Sequence, residues 1–496
     1  MFPYKTSFQL DRKSKQALYL QIANRFIDLI KQGKLLPKTK LPGSRTLAEL
    51  LEVHRKTIVA CYDELLLQGW IESIPKKGTF VHADLPELQQ QSFAETTAIE
   101  KTQIGFSFYK DEMLSVAYNK PKEGWMYIND GVSDTRLTPR EDIARIYRRI
   151  LGRKSIYKEM SYGPILGNEK LRNTLATYLN TTRGLQISKD NVLITRGSQM
   201  GIYLSAQALV KENDVVIVGE TNYSSADIVF LHRNAILKTV KVDENGLVTQ
   251  DIEAICKKQQ IKAVYVTSHH HHPSTVTLSA ERRIHLLNLA KQYGFAIIED
   301  DYDYDFNYQH SPILPLASHD VHGNVVYIGS VCKTVAPVFR VGYLIAPKSF
   351  VTEVSNHRRF IDRQGDAILE LAFEEFISSG DLDRHIKKVM KVYKKRRDLF
   401  CELLEERFSA YFEFEIPKGG MAVWTKLKEP YTWKLVQEVA QKHLLAIGAW
   451  QRYDKRETKH NSIRIGFASY TEEEIFTLIS RLEKTMIDVK NLLAKN

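Results

Sequence analysis

Five short apolar runs constrain the fold more than any other feature of this chain. They are NVLIT at 191–195, DVVIVG at 214–219, AVYVTS at 263–268, AIIED at 296–300 and VVYIG at 325–329, each five or six residues long and separated from the next by a helical or loop segment. Strand-length runs alternating with helical segments predict an α/β architecture that begins near Gly131. In such sheets the ligand residues lie beyond the carboxyl ends of the strands, where the loops gather. At 496 residues the chain exceeds one ordinary core, so two or three domains are expected.

A segment of different character precedes the α/β pattern. Residues 1–83 hold 14 Lys and Arg against 7 Asp and Glu, which puts +7 of the chain's net +11 in its first sixth. A positive field concentrated in this way attracts a polyanion, and nucleic acid is the usual one. Tyr19, Ile22, Phe26, Leu29 and Ile30 recur at helical spacing before Gly33. Leu47, Ala48, Leu50 and Leu51 mark a second helix, and Ile58, Val59, Tyr62, Leu65 and Leu66 mark a third, closed by Gly69. Two strands, Trp70–Ile74 and Thr79–His82, follow around the turn PKKG. Three helices and a hairpin make a winged helix-turn-helix whose third helix would enter the major groove. The solvent face of that helix begins with His54, Arg55, Lys56 and Thr57, donors suited to phosphates and base edges. Residues 84–125, with Gln89–Gln91, read as a linker whose later part, Phe106, Phe108 and Tyr109, can dock on a neighbouring surface.

The chemistry follows the apolar runs. GSVCKTVAPVFRVGY, 329–343, sets Lys333 seven positions before Arg340. That spacing suits a lysine holding an aldehyde cofactor and an arginine gripping its phosphate, and Schiff-base chemistry needs the neutral amine. After NVLIT, Arg196, Gly197, Ser198 and Gln199 open a helix whose bare amide groups suit a phosphate. Tyr223 follows DVVIVG, where it either stacks on a flat ring or simply packs. Asp300 and Asp301 repel one another unless a cation lies between them. A protonated pyridine nitrogen would supply that cation, and a divalent metal held by Asp300, Asp301, Asp303 and Asp305 is the alternative. The run His269–His272 cannot converge as an i, i+4 pair does, so a polar loop ending at Pro273 is expected rather than a zinc site.

Cys61, Cys256, Cys332 and Cys401 are scattered, with no CxxC pattern, which fits a reducing cytoplasm. MFPYKTSFQLDRKSK has no apolar leader core, and no stretch of about eighteen apolar residues occurs, so neither secretion nor membrane spanning is expected.

The segment LPGSRTLAELLEVHRKTIVACYDELLLQGWIESIPKKGTFV, 41–81, resembles the DNA-binding domain of GntR-type bacterial regulators. The resemblance implies DNA contacts at Arg45, Arg55, Lys56 and Thr57 and a wing around Gly78 near the minor groove. His54 and Glu52 stand where Ser and Gly are common in that family. From Gly131 onward the chain is similar to fold-type I pyridoxal-phosphate aminotransferases, and SYGPILGNEKLR, 161–172, matches a signature of that family. This likeness implies pyridoxal 5'-phosphate on Lys333 as a Schiff base, Asp300 at the pyridine nitrogen, Tyr302 at the phenolic oxygen and Tyr223 on the ring. It also implies a phosphate cup of Ser198, Gln199, Ser330 and Arg340, a cofactor-side histidine at His270, and Arg464 as the arginine for an effector carboxylate. Cys332, Thr221 and Thr275 depart from the serine, proline and glycine usual there.

The two parts together resemble the MocR subfamily of GntR-type transcription regulators. The domains expected are a winged helix-turn-helix at 1–83, a linker at 84–125 and an aminotransferase-like region at 126–496 with a small subdomain from about 350. The implied function is a cytoplasmic regulator, nucleoid-associated when bound, that occupies double-stranded operator DNA and senses pyridoxal 5'-phosphate or an amino compound at Lys333. The implied assembly is a head-to-tail homodimer. A catalytically active aminotransferase carrying a DNA-binding module is the alternative, and whether transamination occurs stays open at this point.

Overall fold

The computed structural model describes residues 2–85, 104–114, 122–309, 313–331, 333–448, 450–453 and 460–495. The Gln89–Gln91 part of the expected linker and Cys332 lie outside them. Two compact units divide between Lys110 and Asp111, and each has its own apolar core.

In the first unit helices Leu18–Lys31, Ser44–Leu50 and Arg55–Leu67 precede an antiparallel hairpin of Ile71–Ile74 and Gly78–Val81, with Ile71 opposite Val81. Ile22, Phe26 and Leu29 from the first of these helices meet Leu47, Ile58, Cys61 and Leu65 in the core. A one-turn helix, Tyr4–Ser7, precedes them; it is too short to leave a periodic pattern, yet Tyr4 and Phe8 pack their rings on Phe26. Tyr62 donates its hydroxyl to the Pro42 carbonyl at 2.7 Å, which fixes the third helix to the turn before the second. Glu52 sits at φ 54°, the left-handed region that favours glycine. Arg12 Nη2 donates to its carbonyl at 2.8 Å and Lys5 Nζ to its carboxylate at 3.1 Å, contacts that hold the residue in a conformation its Cβ disfavours. Phe106, Phe108 and Tyr109 are exposed.

The second unit is built on a sheet that, among the described residues, has seven strands. Their order is Val192–Thr195, Gly342–Ile345, Val325–Ser330, Ala296–Asp301, Ala263–Val266, Val215–Gly219 and Ile236–Val240. Both faces are apolar, and successive residues divide between them. Ile194, Ile217, Val264, Ile297 and Tyr327 enter one core, while Leu193, Val216, Tyr265, Ile298 and Ile328 enter the other. Gly342–Ile345, the strand antiparallel to its neighbours, was not anticipated because its first two residues belong to the lysine-arginine motif. Gly342 pairs with Thr195, so the chain returns from Lys333 to the helix start at Gly197. The edge strand Ile236–Val240 also went unread, since its partly exposed pattern lacks a continuous apolar run.

A three-stranded antiparallel sheet, Phe412–Phe414, Ala422–Leu427 and Ser462–Gly466, packs with helices Asp381–Phe408 and Glu472–Leu493 around a separate core. Leu445–Ile447 pairs in parallel with Met126–Ile128 and so positions the segment Asn129–Gly131. Among the described residues no helix is long and apolar enough to cross a membrane.

Candidate functional site

On the first unit, Arg45, His54, Arg55 and Lys56 are exposed and Thr57 is half-buried. His54 caps the third helix, its Nδ1 accepting from the Lys56 amide at 3.1 Å. Arg55 Nε reaches Ser44 Oγ at 3.4 Å, linking the starts of the second and third helices. Gly78, at φ 118°, ends an exposed turn that also presents Lys76 and Lys77. These side chains form a cationic, donor-rich face on rigid elements.

In the second unit the sheet's carboxyl ends bring Asp300, Tyr302 and Lys333 together. Asp300 is only 3 % exposed. Its Oδ2 accepts from Tyr265 at 2.8 Å, and its Oδ1 has no hydrogen-bond partner among the described residues. Burial pushes its carboxyl up to about 7, against the Tyr265 hydrogen bond and with the added repulsion of Asp301 and Asp303. A buried acceptor left unmade in this way costs about 1–3 kcal/mol, more for a charge, and calls for a cation or donor. Lys333 Nζ donates to the Gly131 carbonyl at 2.7 Å and lies 5.8 Å from the Tyr302 ring centre. Tyr302 donates its hydroxyl to the His270 carbonyl at 3.1 Å and accepts from Arg464 Nη2 at 3.3 Å.

Arg464 is 1 % exposed, and its other nitrogens are also engaged. Nε donates to the Asp130 carbonyl at 2.7 Å and Nη1 to the Pro273 carbonyl at 3.2 Å. A guanidinium carries five N–H donors, so these three bonds fix the group without using all of its capacity.

The four histidines lie in the loop expected before Pro273, and all of them are buried. Successive histidines take different partners. His269 Nδ1 pairs with Asp301 at 3.0 Å and His270 Nδ1 with Asp303 at 2.8 Å. Burial pulls His271 down to about 3 and His272 down to about 4, so both are neutral rings at neutral pH. The ring that shares the site with Lys333 is that of His272, at 5.2 Å from Tyr223, 6.4 Å from Tyr302 and 5.7 Å from Tyr453. Its Nε2 lies 3.8 Å from Asp130 Oδ2. Thr275, where the family resemblance implies glycine, sits at φ 64° and donates its amide to the His271 carbonyl at 2.7 Å.

The acidic run is shared out in the same way. Asp301 also accepts from Tyr327 at 2.8 Å, and Asp305 accepts from Arg183 at 3.0 Å and Thr334 at 3.3 Å. Among the described residues no three His, Cys, Asp or Glu side chains gather where a metal ion could be held.

At the other end of the site, helix Ser198–Leu209 starts without a side-chain cap, leaving its first amides to a ligand. Gly197 is at φ 78°, and a Cβ there would lie 2.8 Å from Arg340 Nη2, so only glycine lets the guanidinium approach. Arg340 Nη2 donates to the Arg196 carbonyl at 2.7 Å. Ser330 Oγ reaches the Val341 carbonyl at 3.4 Å, and Tyr223 donates to Gln199 Oε1 at 3.2 Å. A flat cationic ring with an aldehyde and a phosphate arm answers all three features: the unpaired Asp300 oxygen, the lysine amine and the bare helix start beside an arginine. Tyr265, Asp130 and His272 were missed by sequence reasoning. Tyr265 alone carried a signal, a polar atom inside an otherwise apolar strand.

Comparison with known proteins agrees with this geometry. Residues 133–482 match the family described as aminotransferase class I and II, and residues 18–81 match the bacterial regulatory proteins of the gntR family. The aromatic-amino-acid aminotransferase 1 of Thermococcus litoralis is 29% identical over 70% of this chain and 84% of its own length. The probable rhizopine catabolism regulatory protein MocR of Rhizobium meliloti is 24% identical over 86% of both chains. Among solved structures, the Pyrococcus horikoshii kynurenine aminotransferase in complex with PMP superposes with a TM-score of 0.71 at 26% identity, covering 77% of this chain and 97% of that one.

Proposed function

The chain belongs to the aminotransferase class I and II family and carries a gntR-family DNA-binding module ahead of it, the combination of the MocR subfamily, and we propose that it couples amine binding at Lys333 to operator occupancy. It is a DNA-binding transcription regulator, and its cofactor is pyridoxal 5'-phosphate. Bound at this site, the cofactor supplies an aldehyde carbon at which one primary amine can replace another.

Lys333 contributes the resident amine. Asp300 would hold the ring nitrogen with its unpartnered oxygen, and burial would strengthen that attraction by excluding water. Tyr223 packs on the ring, while Tyr302 and His270 border the side of the phenolic oxygen. Ser198, Gln199, Ser330 and Arg340 hold the phosphate, and the spare N–H groups of Arg464 take a carboxylate of the effector. Arg45, Arg55, Lys56, Thr57 and Gly78 meet the DNA.

The observation that carries this reading is the joining, in one chain, of an exposed basic helix to a site that brings Lys333 near Asp300, a buried carboxylate with one unpartnered oxygen. A ligand can shift DNA occupancy only through unequal affinity for two conformations of the chain. Exposed apolar residues of the second unit, Tyr157, Met160, Tyr162, Val338, Phe360 and Ile361, support a head-to-tail homodimer that covers them.

Two expected outcomes test the parts separately. Arg55→Ala should weaken binding to DNA selected from a random-sequence pool by about 1–3 kcal/mol and leave the visible cofactor absorbance intact. Gly197→Ala should cost about 1–3 kcal/mol in backbone strain and a displaced guanidinium, raising the Kd for pyridoxal 5'-phosphate in an equilibrium titration while DNA binding by the unloaded protein persists. The function as a whole is tested by the mobility of the selected DNA with stripped and reloaded protein, with and without amines. Sustained production of keto acid at enzyme-like rates, with DNA binding indifferent to amines, would favour the aminotransferase reading instead.

A further inference from the structure

The effector site contains a carboxylate that the reading above does not use. Met126–Ile128, fixed by its pairing with Leu445–Ile447, places Asp130 and Gly131 beside Lys333. The Asp130 carbonyl takes Arg464 Nε at 2.7 Å, and the Gly131 carbonyl takes Lys333 Nζ at 2.7 Å. Gly131 is at φ 99°, with Ala422 Cβ only 3.3 Å from where its own Cβ would stand, so the dipeptide can turn its carbonyl to the lysine only with glycine at this position.

The Asp130 side chain is 32 % exposed, whereas Asp300 and Arg464 are buried. Its Oδ2 lies 3.5 Å from Arg452 Nη2 and 3.8 Å from His272 Nε2. Those contacts are at or beyond the limit of a hydrogen bond, so the carboxylate keeps accepting capacity.

We propose that the Asp130 carboxylate and the Gly131 carbonyl form an ammonium-recognition corner, which holds the Lys333 side chain when its nitrogen carries no cofactor and takes the cationic amine of the effector when it does. The proposal rests on Lys333 being the cofactor lysine. An aliphatic amine arrives at neutral pH as an ammonium with three donors, its pKa being about 10. A lysine nitrogen bonded to an aldehyde carbon keeps at most one N–H and gives up its claim on the Gly131 carbonyl. A carboxylate and a carbonyl side by side then accept two donors of the incoming cation, one of them charge-assisted. Burial works to raise the Asp130 carboxyl, but the nearby His272 ring and the charges of Lys333 and Arg452 hold it well below the usual range, so it is ionised whenever an ammonium is. The ligand class selected is the primary ammonium; the corresponding hydroxy and keto acids lack the charge.

The test compares loaded native protein with Asp130→Asn and Asp130→Glu at equal cofactor occupancy, titrated with glycine, 4-aminobutanoate and propylamine. The half-saturating concentration, read from the visible absorbance change, is expected to rise about 10- to 100-fold in the Asn variant, the loss of one charge-assisted bond, and to recover partly in the Glu variant. A half-saturation in Asp130→Asn equal to native would overturn the proposal and leave the amine-sensing function standing. No absorbance change in native protein with any of the three would sink that function and the corner's role in it together. A cofactor-free measurement addresses the corner alone: Lys333→Ala should gain thermal stability from propylamine, and Lys333→Ala/Asp130→Asn should not. Equal gains in both would again refute the corner.

Discussion

Lys333→Ala is expected to abolish the absorbance band of the lysine-bound cofactor and, with it, the native effect of amines on DNA binding. The residue supplies the amine at the cofactor carbon, and the Lys333 motif lies on the loop that the antiparallel strand Gly342–Ile345 pulls back toward the helix start at Gly197. Truncation removes the covalent anchor and leaves Asp300 and the Arg340 end to hold the cofactor without it. The core of the first unit is unaffected by this change, so the winged helix should stay folded and the variant should still bind selected DNA. Absorbance spectra and mobility assays on one preparation check both halves. A surviving band with a native amine response would remove Lys333 from the site.

The second large effect concerns pH. Asp300 is pushed up to about 7 by burial in the cofactor-free protein, whereas an aspartate in the unfolded chain ionises near 4. A carboxyl whose folded pKa is raised favours folding below its unfolded value, and that contribution is lost as pH rises through about 7. A cationic ring nitrogen opposite Oδ1 cancels the penalty. Cofactor loading should therefore stabilise the fold more at pH 8 than at pH 5, by a difference on the order of 2–3 kcal/mol at most, read as the larger rise in Tm at pH 8. Asp300→Asn should flatten the dependence, since it cannot ionise. Equal stabilisation at both pH values in native protein would mean that Asp300 does not meet a cation.

Much of the site was legible because of where its residues fall in the sequence. Asp300 and Lys333 each end or follow an apolar run, and Arg340 lies a fixed step beyond Lys333. The sheet collects such positions at one edge whatever its strand order. The winged helix was legible for a similar reason, its three helices each showing an unbroken apolar stripe closed by a turn. Asp130 could not be found this way. It precedes the run of strands and reaches Lys333 through a parallel pairing with residues 445–447, a contact that no local pattern encodes. His272 was hidden among four identical neighbours, and only the alternating partners Asp301, Asp303 and Asp130 tell them apart. The strand Gly342–Ile345 was overlooked because its first two residues already had a chemical reading.

Two departures that looked minor in the sequence gain a physical meaning from the backbone. Glu52 and Thr275 both occupy left-handed conformations at positions where the family resemblance implies glycine. Each is held by specific hydrogen bonds, Glu52 from Arg12 and Thr275 to the His271 carbonyl. The strain is on the order of 1 kcal/mol per site, small enough for those bonds to offset.

The central claim is that amine chemistry at Lys333 and DNA occupancy are one equilibrium. A single titration of loaded protein with a responsive amine, in the presence of fluorescent selected DNA, follows visible absorbance and fluorescence anisotropy together. Linkage requires the two signals to change over the same amine concentrations and DNA to shift the absorbance midpoint in turn. Absorbance that saturates while anisotropy stays constant, with a midpoint indifferent to DNA, would contradict it.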